Sequence, residues 1–265
     1  MPKTVSITSR SNPLLVRLRK LANDPLAYRK QQQIVLEGEH LCAAYAQRAG
    51  AVAQAVITEA AHEHGSACSD LAQRADAVAV VSSALMASLS TLESSAQLVY
   101  VVAWPGAREV QASVPSIVLD RVQDAGNVGT ILRSAAAFGF TQVLALKGSA
   151  GLGSPKVLRA GMGAHFGLHL VEALDEVALA SLRVPLLAAS PRAATAIHSL
   201  ELPWPCAWLF GHEGQGVSAA LMARCAHTLR IPQPGGEESL NVAAAAAVCM
   251  YESMRQRRHE ADPRR

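Results

Sequence analysis

Three short runs in the second half of the chain constrain the fold most. They are "SIVLD" (116–120), "TQVLALKG" (141–148) and "CAWLFG" (206–211). An antiparallel strand with one wet face alternates apolar and polar residues, and these runs do not. They suit strands covered by helices on both faces, which is the setting of a parallel sheet. The intervening segments read as helices. "NVGTILRSAAAFG" has Asn127 in the position of an N-cap and Gly139 at its end. "SPKVLRAGMGAHFG" and "SAALMARC" follow, and an alanine-rich helix begins after Asn241. "HLVEAL" and "PLLAAS" read as strands flanking the acidic helix "DEVALASLR", and "HTLRIP" as the last strand. The expectation is an α/β fold with a parallel sheet over residues 116–265.

Residues 1–104 carry a second, smaller α/β pattern. Leu14, Leu15, Leu18 and Leu21 recur at helical spacing, with Arg17, Arg19 and Lys20 on the other side. A strand at Ile34–Leu36 leads to a helix ending near Gly50. "AVAQAVITEAA" and "ADAVAVVSSALMASLS" each read as strand then helix, and "QLVYVVAWP" as a strand. Prolines and a glycine interrupt the pattern at residues 105–115, which read as the linker.

Of the 265 residues, 50% are hydrophobic and 17% charged, so a sizeable core is expected. No apolar run reaches the roughly 20 residues of a membrane helix. The start "MPKTVSITSRSNPLL" has no apolar core of a secretory signal, and a cytoplasmic location is expected. The five cysteines form no C-x-x-C pair, so they read as reduced core residues, with neither zinc nor disulfides. The net charge of +3 is uneven: residues 1–40 carry +4 and residues 255–265 carry +3, leaving −4 between them. Basic ends suit a polyanionic partner, although solvated termini have the same look.

Familiar nucleotide loops fail. "GSAGLGS" (148–154) has Ser154 where a phosphate loop needs Lys, and "GHEGQG" (211–216) lacks the order of a dinucleotide fingerprint. No G-x-S-x-G or H-E-x-x-H is present. What remains is three strand-end loops: "LDRVQDAGNVGTILRS", "LFGHEGQGVS" and "IPQPGGEESLNVAAAAAV". In open α/β sheets, ligands bind at the carboxyl ends of strands. Singly, Asn127 reads as a cap and Arg133 as a solvated arginine. Together, three strand–loop–helix passages with glycines and polar residues at every loop point to one site.

In order and spacing these segments resemble the three motifs of the SpoU (TrmH) family of RNA ribose 2′-O-methyltransferases, in the SPOUT superfamily. "ITSRSNPLLVRLRKL…IVLEGEHL" resembles, more loosely, the small α/β RNA-binding domain that precedes many of these enzymes. The resemblance implies a trefoil knot in the C-terminal domain, a homodimer, and S-adenosylmethionine as methyl donor. It implies that the cofactor is held by Leu209, Gly211, Ile231 and Leu240, with Ser239 nearby. It implies catalytic roles for Arg133, Asn127, Glu213, Ser239 and Asn241, with no metal and no membrane. The substrate it implies is rRNA, or next tRNA, contacted by Arg10, Arg17, Arg19 and Lys20.

A ribose hydroxyl is a poor nucleophile near neutral pH. Arginine stays protonated, so Arg133 suits electrostatic activation through the adjacent phosphate better than proton abstraction, either within its own subunit or across the dimer. Asn127 and Asn241 are expected to position loops and substrate, and Glu213 to support the second loop as a buried carboxylate. Three residues depart from the family pattern: Ala125 for Pro, Gly161 for Ser and Gln233 for Met. A catalytically idle RNA-binding protein of the same fold is the alternative. A nicotinamide-linked dehydrogenase is disfavoured by the missing fingerprint.

Overall fold

The structure is a computed structural model. It describes residues 2–48, 50–63, 65–90, 95–235 and 240–261, of which 258–261 by backbone alone. The chain forms two compact units, Met1–Gly106 with Gly153–Phe166, and Ala107–Leu152 with Gly167–Arg265.

The first unit opens with β1 (Lys3–Ile7), α1 (Pro13–Asn23), α2 (Ala27–Gln31), β2 (Gln33–Glu37) and α3 (Glu39–Arg48). It continues with β3 (Val52–Thr58), α4 (Glu59–Glu63), α5 (Ala67–Ala72), β4 (Ala75–Val81), α6 (Ser83–Ala87) and β5 (Leu98–Ala103). The sheet order is β1-β4-β3-β5-β2. β1, β4 and β3 are parallel, whereas β5 runs antiparallel to both β3 and β2. α1 starts where Asn12 Oδ1 accepts the Leu14 N–H at 2.9 Å, with Pro13 in the first turn. It buries Leu15, Leu18 and Leu21, each contributing about 1.5–3 kcal/mol relative to exposure. Its other side leaves Arg17 and Lys20 in solvent.

The second unit contains β6 (Ser116–Asp120), α7 (Ala125–Phe138) and β7 (Gln142–Leu146). The helix after β7, α8 (Pro155–Gly161), packs on β2 and α1 of the first unit. The sequence reading assigns that segment to the second unit. Gly161, which departs from the family's Ser, lies so close to the His165 ring that a Cβ there would collide with it. Here the Gly and the His accommodate each other. The second unit resumes with β8 (His169–Leu174), β9 (Leu186–Ala189), β10 (Thr195–Ala196), β11 (Ala207–Gly211), α9 (Ala219–Met222), β12 (His227–Arg230) and α10 (Val242–Ala261). The acidic segment expected as a helix is a 3-10 helix, Glu176–Ser181.

All seven strands run parallel in the order β10-β12-β9-β11-β6-β7-β8. β11 illustrates the double coverage. Leu209 packs into a core with Val118, Leu144 and Ala188. The neighbouring Trp208 is fully buried and donates to Ser253 Oγ of α10 at 2.9 Å. The five cysteines are unpaired, and burial pushes the Cys206 thiol up to about 12. Among the described residues, no helix is long and apolar enough to cross a membrane, and no group of His, Cys, Asp or Glu is arranged to hold a metal.

Candidate active site

Because every strand of the second sheet points the same way, the loops after β6, β11 and β12 emerge at one edge. The first is anchored by Asp120 at the end of β6. This carboxylate is 2% exposed and accepts the Ser218 N–H at 2.7 Å. It also takes Nε and Nη2 of Arg121 at 2.8 and 3.1 Å. Arg121 holds a left-handed backbone, φ 59°, and its Nη1 reaches Gln215 Oε1 at 3.1 Å. The pair therefore fastens the second loop at two points.

α7 begins two residues before the expected cap. Asp124, not Asn127, is the N-cap, and its Oδ1 accepts the Asn127 N–H at 2.7 Å. The Asn127 side chain is thereby released to link loops. Its Nδ2 donates to Glu213 Oε1 at 3.1 Å, and its Oδ1 accepts from Asn241 Nδ2 at 2.9 Å. Asn241 Oδ1 in turn caps α10, taking the N–H groups of Ala243 and Ala244 at 2.8 and 3.2 Å. One amide–carboxylate chain thus joins all three loops.

Glu213 corrects the sequence expectation. It is exposed rather than buried, and it braces the first loop rather than its own, accepting the N–H groups of Gln123 and Asp124 at 3.2 and 3.1 Å. Partial burial pushes its carboxyl upward, but the Asn127 amide and the backbone N–H donors outweigh that and hold it below the usual carboxylate range.

Between the second and third loops lies a cavity of about 270 Å³, lined by Gly211, Gly216, Ile231, Gln233, Leu240 and Asn241 among others. Its floor depends on Gly211. A Cβ there would collide with the backbone of Gly216 and Val217. Those residues close a small hairpin in which His212 and Gly216 exchange backbone hydrogen bonds at 3.1 and 2.7 Å. Ile231, Gly211 and Leu240, expected to hold the cofactor, share this wall. Leu209 does not. Its side chain is fully buried in the core, and it does not line the cavity. Ser239 lies outside the described residues, as do Glu237 and Glu238.

Arg133 stands on the exposed face of α7, near Thr130 and Ala137, about 9 Å along the helix axis from Asn127. Among the described residues its guanidinium has no hydrogen bond or ion pair, and it does not line the cavity. In the first unit Arg10, Arg17 and Lys20 are exposed. Arg19 is half-buried and donates to the Arg10 carbonyl at 2.6 Å, so it holds the turn before α1. Sequence reasoning passed over Asp120, Arg121 and Asp124. A carboxylate closing an otherwise apolar strand was the signal available for Asp120.

The family model described as the SpoU rRNA Methylase family matches residues 115–251, spanning all three loops. The chain belongs to that family. As a SpoU-family protein it is 33% identical over 264 residues to an uncharacterized tRNA/rRNA methyltransferase of Synechocystis, covering 95% of this chain and 94% of the relative. It is 30% identical over 233 residues to the 23S rRNA (guanosine(2553)-2′-O)-methyltransferase of Bacillus subtilis, covering 84% and 88%. Among solved structures, an RNA 2′-O ribose methyltransferase superposes with a TM-score of 0.80 at 29% identity, covering 96% of this chain and 99% of the other. The match therefore includes both units, not the SpoU segment alone.

Proposed function

We infer that this SpoU-family chain is an RNA ribose 2′-O-methyltransferase that uses S-adenosylmethionine, with rRNA as its substrate. The observation that carries the reading is that the second and third family motifs line one cavity while the first motif is tied to both through Asn127, bonded to Glu213 and Asn241. The names of the relatives supply the reaction class and the rRNA.

The cavity fits the donor in kind. It is largely apolar, and Gly211 lets the hairpin backbone of Gly216 and Val217 close against it, where a Cβ would collide. Gly211, Ile231 and Leu240 are the residues to hold the donor, with Leu209 acting through its backbone and Ser239 from the third loop. Bound there, the donor would supply an electrophilic methyl to the ribose 2′-oxygen, with S-adenosylhomocysteine as the leaving group and the hydroxyl proton lost to solvent. Asn127 and Asn241 hold the loops at a fixed separation, so substrate and donor meet in a set geometry. Glu213, kept ionised by its donors, locks the first loop against the second. Arg133 binds the phosphate beside the target ribose and stabilises negative charge developing on the 2′-oxygen.

Arg133 lies outside the cavity of its own protomer, which supports action across a homodimer. The exposed face of α7 and α10 offers a surface for the second copy: Val248 and Tyr251 are 40% and 49% exposed there. The threaded path expected of the family belongs to the same proposal. Its support is the strand order, where β6 neighbours β11 and β9 neighbours β12. The first unit is proposed to bind RNA through Arg10, Arg17 and Lys20, with Arg19 shaping that surface. The test is a map of 2′-O-methylation across total RNA from cells with and without the protein. One ribose in rRNA should lose its methyl group. An unchanged map would overturn the reading.

A further inference from the structure

We propose that Asp120 and Arg121 are positioning residues for the methyl donor, a strut that holds the hairpin of the second loop in the shape the donor requires. The inference rests on the cavity being the donor site, as inferred above.

The hairpin, residues 212–216, forms one wall of the cavity, with His212, Glu213 and Gly216 lining it. It has little to keep that shape by itself. Its ladder is the one bridge between His212 and Gly216, residues 213–216 are exposed, and two of them are glycines. His212 Nδ1 accepts the N–H groups of Gly214 and Gln215 at 3.0 and 3.3 Å, but these bonds lie within the hairpin and anchor it to nothing. Glu213 ties it to the first loop.

The tie to the sheet is the pair at the end of β6. Asp120 stands beside Gly211 in the β6–β11 register, where the strand enters the hairpin. Its Oδ2 accepts the Ser218 N–H, just past the hairpin, at 2.7 Å. Arg121 lays Nε and Nη2 on the same carboxylate at 2.8 and 3.1 Å and extends Nη1 to Gln215 Oε1 at 3.1 Å. A planar guanidinium forked on a carboxylate has a fixed direction, so its third nitrogen fixes where Gln215 sits. The Arg121 backbone is held in turn. Its φ of 59° is one that non-glycine residues keep only where their surroundings enforce it. Its stem lies on Gly148 of the loop after β7, where a Cβ would stand 3.0 Å from Arg121 Cγ. Neither Arg121 nor Gln215 lines the cavity. Their influence on a donor therefore passes through the hairpin.

The test uses the full chain with Arg121→Met, which keeps the stem over Gly148 and removes the guanidinium. Calorimetry with S-adenosylhomocysteine should show affinity lower by about tenfold, the scale of one charge-assisted hydrogen bond. Transfer to rRNA from cells lacking the protein should show a donor KM raised in the same proportion, with kcat at saturating donor within about twofold of wild type. Gln215→Ala removes only the acceptor from an exposed position, so it carries the test should Arg121→Met not fold. It should lower affinity by about threefold, and the double variant should bind no more weakly than Arg121→Met alone. Affinity within about twofold of wild type for Arg121→Met, or unchanged for Gln215→Ala, would overturn the proposal. So would a fall in kcat with KM unchanged, which would put the guanidinium on the RNA, or losses from the two changes that multiply. A wild-type chain that does not take S-adenosylhomocysteine would overturn the methyl-donor reading, and this inference with it.

Discussion

The two sheets of this chain solve different problems. In the seven-stranded sheet every strand is parallel, so the carboxyl ends of β6, β11 and β12 share one edge, and residues more than 110 positions apart in sequence, Asn127 and Asn241, come within 2.9 Å. In the five-stranded sheet β5 runs against β3 and β2, so strand ends are divided between two edges. The polar character of that unit is spread instead over a helix surface, with Arg17 and Lys20 on the outside of α1. A parallel sheet gathers side chains to a point. A mixed sheet with a charged helix presents a face. The first arrangement suits chemistry at one atom, and the second suits a long polyanion.

The largest effect should come from the point. Arg133→Ala is expected to lower methyl transfer by about 10³-fold, the scale of losing a charge that stabilises the transition state. Binding of S-adenosylhomocysteine should stay within a few fold, because Arg133 does not line the cavity. Single-turnover transfer and calorimetry on the same preparation check both halves. Equal loss of transfer and binding would mean that Arg133 supports the fold of α7 rather than the reaction.

Gly211→Ala should come next and act in the reverse sense. The added Cβ meets backbone atoms of Gly216 and Val217, which cannot move without opening the hairpin. Cofactor affinity should fall by about 10–100-fold, with transfer restored in part at saturating donor. If affinity were unchanged, the cavity between the second and third loops would not be the donor site.

The face should yield to charge removal. The triple change Arg10→Ala, Arg17→Ala and Lys20→Ala is expected to weaken RNA binding by about tenfold at low salt, and to flatten its dependence on salt concentration. Donor affinity should not change. Arg19 is left intact in this test because its bond to the Arg10 carbonyl holds the turn before α1. RNA binding that keeps its salt slope would move the RNA surface elsewhere.

Much of the point was legible in the sequence, and less of the face. β6 and β11 are buried on both sides, so their apolar runs carry no competing polar pattern, and the loops beyond them stand out by contrast. Lys3–Ile7 forms a strand at the edge of its sheet with four exposed residues, and such a strand carries no burial pattern to read. The helix after β7 reads correctly as a helix, but its packing on β2 and α1 is a long-range choice that local periodicity does not encode. Asn127 was legible as a residue that positions loops, but its reading as the helix cap fails because Asp124 takes that place. "DEVALASLR" has helical composition, but between two short strands only six residues settle into 3-10 turns.

The smallest effect tests the seam between the first two loops. Hydrogen bonds from Asn127 and from the N–H groups of Gln123 and Asp124 depress the Glu213 carboxyl below its ordinary value of 4.5. A group whose folded pKa is lowered contributes stability above its unfolded pKa, and that contribution is lost as pH falls through the folded value. Wild type should therefore melt above Glu213→Gln at neutral pH, and the gap should close between about pH 5 and pH 3. The carboxylate is exposed, so solvent screening keeps the gap small, about 1–2 °C. Gln retains one acceptor oxygen for Asn127 but loses the charge that favours three donors at once. A gap that persists undiminished at low pH would show that side-chain shape, rather than ionisation of Glu213, holds the first loop to the second.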